Sequence, residues 1–158
     1  MIKRNWKTYA FWILLAEAVG ALSGWLTREG TRFFAENVTQ PPLSPPSIAF
    51  PIAWGILYFL MGVGAARISL GSDSKTRSRS LNLFMVQLAV NFLWSPVFFN
   101  LQAYAIAFFW LLLLFALVAA MTIAFRQADP LAARLQIPYL IWLIYAAYLN
   151  LGVWYLNR

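Results

Sequence analysis

Five apolar runs, 8–26, 48–68, 81–99, 103–125 and 135–156, take up most of this 158-residue chain. Each is close to the roughly 20 residues an α-helix needs to cross the hydrocarbon core of a bilayer. Inside that core every backbone N–H and C=O must be satisfied by the protein itself, so only helices and closed barrels span it. The alternating polarity of barrel strands is absent, which leaves helices. With 62% of its residues hydrophobic and 11% charged, the chain has more apolar surface than a water-soluble fold can bury. The sequence reads as an all-α membrane protein, a single five-transmembrane-helix bundle over 1–158 with no linker dividing it.

Charge sets the orientation. Lys3, Arg4, Lys7, Arg67, Lys75, Arg77, Arg79, Arg126 and Arg134, nine of the twelve basic residues, fall on one side of the five crossings. Arg28, Arg32 and Arg158 fall on the other. By the positive-inside rule the N-terminus is cytoplasmic, and the C-terminus and the proline-bearing loop 27–47 are outside. The net charge of +7 is spread between apolar runs and forms no basic stripe, so the expected partner is the lipid bilayer and no nucleic acid. Ala16-Glu17-Ala18 matches a signal-peptidase site, but the apolar run continues to Leu26, so the first span is expected to be retained. The expected location is a bacterial cytoplasmic membrane, or the mitochondrial outer membrane in a eukaryote. The chain has neither cysteine nor histidine, which removes the thiolate nucleophile, the commonest metal ligand and the commonest general base.

The segment 41–62 organises the rest. Pro41-Pro42 and Pro45-Pro46 hold the loop extended, Ser47 is placed to cap the helix that follows, and Trp54 and Tyr58 share one face of it. A stiff loop leading into an aromatic helix face suggests a lid over a pocket. Two further faces fit that pocket: Gln87, Asn91 and Trp94 in the third span, and Trp142, Ala146 and Asn150 in the fifth. The three amides are expected to point inward, since lipid offers them no partner. Spacing alone leaves open whether they bond helix to helix or orient a ligand. Trp6, Trp25 and Trp154 sit near span ends, as interfacial anchors do. Pro96 is expected to kink or end its helix, whereas Pro138 can sit in a first turn. Glu17 is the one acid inside a span and shares a face with Gly20 and Gly24, a pair that permits close helix approach. Val153, Tyr155 and Arg158 fit a loose sterol-contact pattern at the last membrane boundary.

The stretches REGTRFF (28–34), PP with FPIAWGILY (50–58), QLAVNFLWSPVFF (87–99), DPLAARL (129–135) and PYLIWLIYAAYLNLGVW (138–154) together resemble the TspO/MBR family of translocator and tryptophan-rich sensory proteins. The resemblance implies a ligand pocket opening toward the first loop. Carried onto this chain, the pocket comprises Ser23, Leu26, Trp54, Asn91, Trp94, Ser95, Trp142, Ala146 and Leu149. The implied ligands are tetrapyrroles such as protoporphyrin IX or haem, isoquinoline-carboxamide or benzodiazepine-type molecules, and cholesterol in some members. The porphyrin enters as ligand and no cofactor is expected. Arg28 or Arg32 in the lid loop is placed to meet propionates. A homodimer is also implied, and the Gly20/Gly24 face could serve it or could pack within the bundle. Two lid positions depart from the common family pattern: Leu43 stands where tryptophan is frequent, and Phe33-Phe34 stands in place of Trp-Tyr. Light-dependent porphyrin breakdown and proton-coupled export through Glu17 are the alternative functions.

Overall fold

The computed structural model describes residues 2–158, with side chains from Asn5 onward; Lys3 and Arg4, assigned above to the cytoplasmic side, lie outside the described side chains. Seven helices follow one another without a strand among the described residues: α1 (Ile2–Leu26), α2 (Arg28–Asn37), α3 (Ala49–Gly71), α4 (Ser74–Ser95), α5 (Tyr104–Ala128), α6 (Pro130–Arg134) and α7 (Ile137–Leu156). Five stretches are long and apolar enough to cross a membrane: Asn5–Leu26, Ala49–Gly71, Ser74–Asn100, Tyr104–Ala128 and Pro130–Leu156. The chain is an integral membrane protein built as a five-span helical bundle.

The connections are more helical than the sequence suggests. The proline-bearing loop begins with the lid helix α2, and loop 126–134 contains α6. The polar loop 69–80 shrinks to Ser72 and Asp73, because Asp73 caps α4 by accepting the Thr76 amide at 2.7 Å. Ser47 does not cap α3: Ile48 holds the N-cap position with no side-chain bond, and Ser47 instead accepts the Phe50 amide through its carbonyl at 3.4 Å. Pro51 in the first turn of α3 lacks an N–H that no helical carbonyl would have received there.

Packing runs round a ring, with α1 against α3 and α4, α4 against α5, and α5 against α7. Glycines set the closest approach. A Cβ on Gly62 would fall 2.5 Å from the Ile13 Cα, so α1 and α3 cross with backbones nearly touching. A Cβ on Gly20 would fall 2.3 Å from the Tyr58 ring, whereas Gly24 has nothing within 4 Å. Gly20 therefore belongs to the interior of the bundle, and the two glycines do not share one interface.

Pro96 acts as expected, and its effect reaches a second span. Its ring has no N–H for the Phe92 carbonyl, and beyond it the chain makes a π-helical turn, Pro96–Asn100. The freed Phe92 carbonyl accepts the Ser23 hydroxyl at 3.2 Å, so α1 satisfies the group that α4 leaves open.

At the end of the bundle that carries loop 126–134, Asp129 accepts the Leu131 and Ala132 amides at 3.1 and 3.5 Å, capping α6, and pairs with Arg67 Nε at 2.8 Å. Burial pushes its carboxyl up, but the Arg67 bond and charge and the two amides outweigh that and hold it below its ordinary value. A depressed pKa contributes stability above the unfolded-state value and loses it as pH falls through the folded-state value. Asp129→Asn should therefore lower the melting midpoint near neutral pH, by the equivalent of about 1 kcal/mol. It should also flatten the acid limb of the stability–pH curve, measured in detergent by circular dichroism. An unchanged acid limb would show that other carboxyls carry it.

Candidate functional site

Two aromatic rows face each other where α3 meets α7. Phe50, Trp54 and Tyr58 recur at four-residue spacing on α3, and Tyr139, Trp142 and Tyr145 at three-residue spacing on α7, so each row occupies one helix face. Trp54 stacks on Tyr58 with ring centroids 5.5 Å apart. Its edges meet Trp142 and Tyr139 at 6.2 Å each. Phe50 meets Trp142 at 6.0 Å, and Trp142 meets Tyr145 at 5.5 Å. These are mostly edge-to-face contacts, a preferred geometry for aromatic pairs. The Trp142 indole N–H is buried and finds no acceptor among the described residues. An unpartnered buried donor costs about 1–3 kcal/mol, and this one lies on the seam.

Beneath the seam the polar side chains form a continuous chain of bonds. The Tyr58 hydroxyl donates to Asn91 Oδ1 at 2.5 Å, and Asn91 Nδ2 donates to the Tyr139 hydroxyl at 2.7 Å. Tyr139 then donates to Gln87 Oε1 at 2.8 Å, and Gln87 Nε2 reaches Met61 Sδ at 3.8 Å. Gln87 is 0%, Asn91 4% and Asn150 1% exposed, so all three amides point inward as expected. Asn91 spends both ends of its amide on tyrosines of two other spans. It acts as a strut under the seam.

The other expected site residues divide. Ala146 is buried in the same core as Tyr58 and Tyr139, and Leu149 is buried further along α7. Trp94 stacks on Phe98 at 4.9 Å, and its indole N–H donates to Asn150 Oδ1 at 3.2 Å. It thus joins a second aromatic cluster of Phe34, Phe98, Phe99 and Tyr104, which docks the lid helix on the π turn. Ser95 lies half-buried just before that turn. Ser23 is buried, its hydroxyl held by the Phe92 carbonyl. Leu26 is half-exposed and lines a separate outer groove of about 560 Å³ with Trp25, Arg28, Phe33 and Phe99. There Arg28 sits 4.4 Å over the Trp25 ring and donates to the Trp25 carbonyl at 2.7 Å, while Arg32 is exposed. Val153 is buried whereas Tyr155 is exposed, with Arg158 at 4.6 Å over its ring, so these three do not share a surface. Glu17 is half-buried and forms no ion pair among the described residues.

Phe50, Tyr139 and Tyr145 were not singled out from the sequence. Their signal was spacing from Trp54 and Trp142 on faces already recognised as aromatic.

The lid is fastened to α7. Asn157 accepts the Thr39 amide at 3.0 Å and donates to the Thr39 carbonyl at 2.8 Å. Pro41 seats on Gly152, where a Cβ would fall 2.5 Å from its ring. Tyr148 donates to the Pro42 carbonyl at 2.6 Å, and Tyr145 donates to the carbonyl of Leu43. Leu43 has a φ of 68°, a left-handed conformation that costs an ordinary side chain about 1 kcal/mol or more. The Tyr145 bond helps hold it there. One helix thus carries both a wall of the seam and the fastenings of its cover.

Comparison with known proteins agrees with this architecture. Residues 12–156 match the TspO/MBR family. The chain is 38% identical to the translocator protein of Bos taurus over 97% of its own length and 92% of that protein. It is 39% identical to protein CrtK of Rhodobacter capsulatus, over 77% of each chain. It is also 39% identical to the tryptophan-rich sensory protein of Cereibacter sphaeroides, over 77% of this chain and 75% of that one.

Proposed function

The chain belongs to the TspO/MBR family, and from that premise we propose that it binds a planar tetrapyrrole, of the protoporphyrin IX or haem kind, between α3 and α7. It is a membrane protein of the translocator and tryptophan-rich sensory type. The observation that carries the ligand reading is the orphaned Trp142 indole N–H on a seam held by ring edges. A flat macrocycle parts the two aromatic rows, stacks on Trp54 and Trp142, and offers that donor the acceptor it lacks. Benzodiazepine-site ligands, which are also aromatic and carry a carbonyl, fit the same description. A sterol is proposed only at the exposed Tyr155 and Arg158 boundary.

The test is an absorption titration of protoporphyrin IX into detergent-solubilised protein. Trp142→Phe keeps a ring and removes the donor, so affinity should fall roughly fivefold, the worth of one hydrogen bond of about 1 kcal/mol. Trp6→Phe, at an exposed anchor, should bind as wild type does. Equal affinity in all three proteins would remove the ligand from this seam. Bleaching of the bound pigment in light, abolished by Trp142→Phe, would shift the reading to porphyrin breakdown.

A further inference from the structure

A second feature lies on the opposite side of the membrane from the lid. Lys75, Ser78, Arg79, Asn82, Leu83 and Val86 line one groove of about 530 Å³ along α4. Their spacing of three and four residues makes a single stripe down the helix. The stripe changes character along its length: an ammonium and a guanidinium come first, then a hydroxyl and an amide, then two aliphatic chains. By the positive-inside orientation the charged end is at the cytoplasmic surface and the aliphatic end enters the hydrocarbon.

The charges there are placed, and they are of one sign. Arg79 donates to Gln127 at the end of α5, which holds its guanidinium over the groove. Arg77 turns away to donate to the Ser72 carbonyl at 2.6 Å. The neighbouring acid, Asp73, is occupied with the Thr76 amide.

We propose that this groove binds a phospholipid with an anionic head group from the cytoplasmic leaflet. Lys75 and Arg79 take the phosphate, Ser78 and Asn82 bond the glycerol oxygens, and Leu83 and Val86 lie along the first acyl methylenes. The graded stripe selects a lipid over a free phosphate, because the aliphatic half has no contact to make with a soluble anion.

Native mass spectrometry from detergent tests this, with phosphatidylglycerol and phosphatidylcholine offered together. Wild type should retain phosphatidylglycerol preferentially. Lys75→Gln with Arg79→Gln should weaken that retention roughly twenty-five-fold, from about a factor of five per basic residue near an anionic surface. Ser78→Glu, an exposed single substitution, should abolish the preference and serves if the double variant does not fold. Arg126→Gln with Arg134→Gln removes the same charge elsewhere on this side and should leave the preference intact. The proposal is overturned if wild type shows no preference, or if the Arg126/Arg134 variant loses it equally. It is also overturned if inorganic phosphate displaces the lipid as well as phosphatidylglycerol does.

Discussion

Gly62→Val should destabilise the bundle by about 3 kcal/mol, the upper part of the range for overpacked interiors. A Cβ at this position would meet the Ile13 Cα at 2.5 Å, its amide nitrogen at 2.8 Å and its Cγ1 at 2.9 Å. Two of those atoms are backbone, so no rotamer change makes room; α1 and α3 must separate along their whole contact. In a bilayer, where packing rather than water exclusion drives helix association, a lost close approach is not recovered elsewhere. The measurement is thermal unfolding in detergent by circular dichroism, with Gly55→Val as reference, since nothing lies within 4 Å of a Cβ there. If both variants melt together, the crossing is looser than its geometry requires.

The second large effect is expected at Asn91. Asn91→Ala removes the acceptor of the Tyr58 hydroxyl and the donor to Tyr139 in one step, at a cost of roughly 1–3 kcal/mol. Tyr58→Phe removes one of the same bonds. The pair should therefore be sub-additive: the double variant melts above the sum of the single losses. Full additivity would mean that the bond from Tyr58 to Asn91 contributes nothing. The same experiment separates strut from ligand contact. Asn91→Ala should lower the melting midpoint of the protein without added ligand, whereas Trp142→Phe, which removes an unsatisfied donor, should not lower that midpoint and should change porphyrin affinity.

Much of the architecture was legible because lipid leaves few alternatives. Runs of some 20 apolar residues must be helices, and Gln87, Asn91 and Asn150 must face inward, whatever they meet there. What they meet was not legible. Tyr58 and Tyr139 lie on other spans, and Asn91's choice of both depends on how the helices are rotated in the ring. The Gly20 and Gly24 spacing announced a close approach but not which glycine makes it; Tyr58 decides, by filling the space beside Gly20 alone. The lid helix α2 was hidden by the prolines that follow it, which drew attention to extended backbone. Ser47 looked like a cap, but the chain is already turning helically at Ile48, so its hydroxyl has no free amide to take. Ser23 was placed in the pocket by resemblance alone. Its bond to Phe92 follows from Pro96, a residue 73 positions away whose missing N–H could have pointed to it.

The lid's fastenings have a consequence for which substitutions the chain can accept. Tyr145, Tyr148 and Asn157 hold the loop by carbonyls and an amide, groups that nearly every residue type supplies. Leu43, 82% exposed, contributes its backbone and little else. The loop can therefore exchange side chains freely, and with them the chemistry it presents at the mouth of the seam, while its position stays fixed from α7. Pro41 and Phe34 are exceptions, because Gly152 is shaped to the proline ring and Phe34 docks the lid helix on Phe98 and Phe99. Diversity is permitted over most of the cover and restricted on the helix that holds it, so the surface of the lid can change without refolding the bundle.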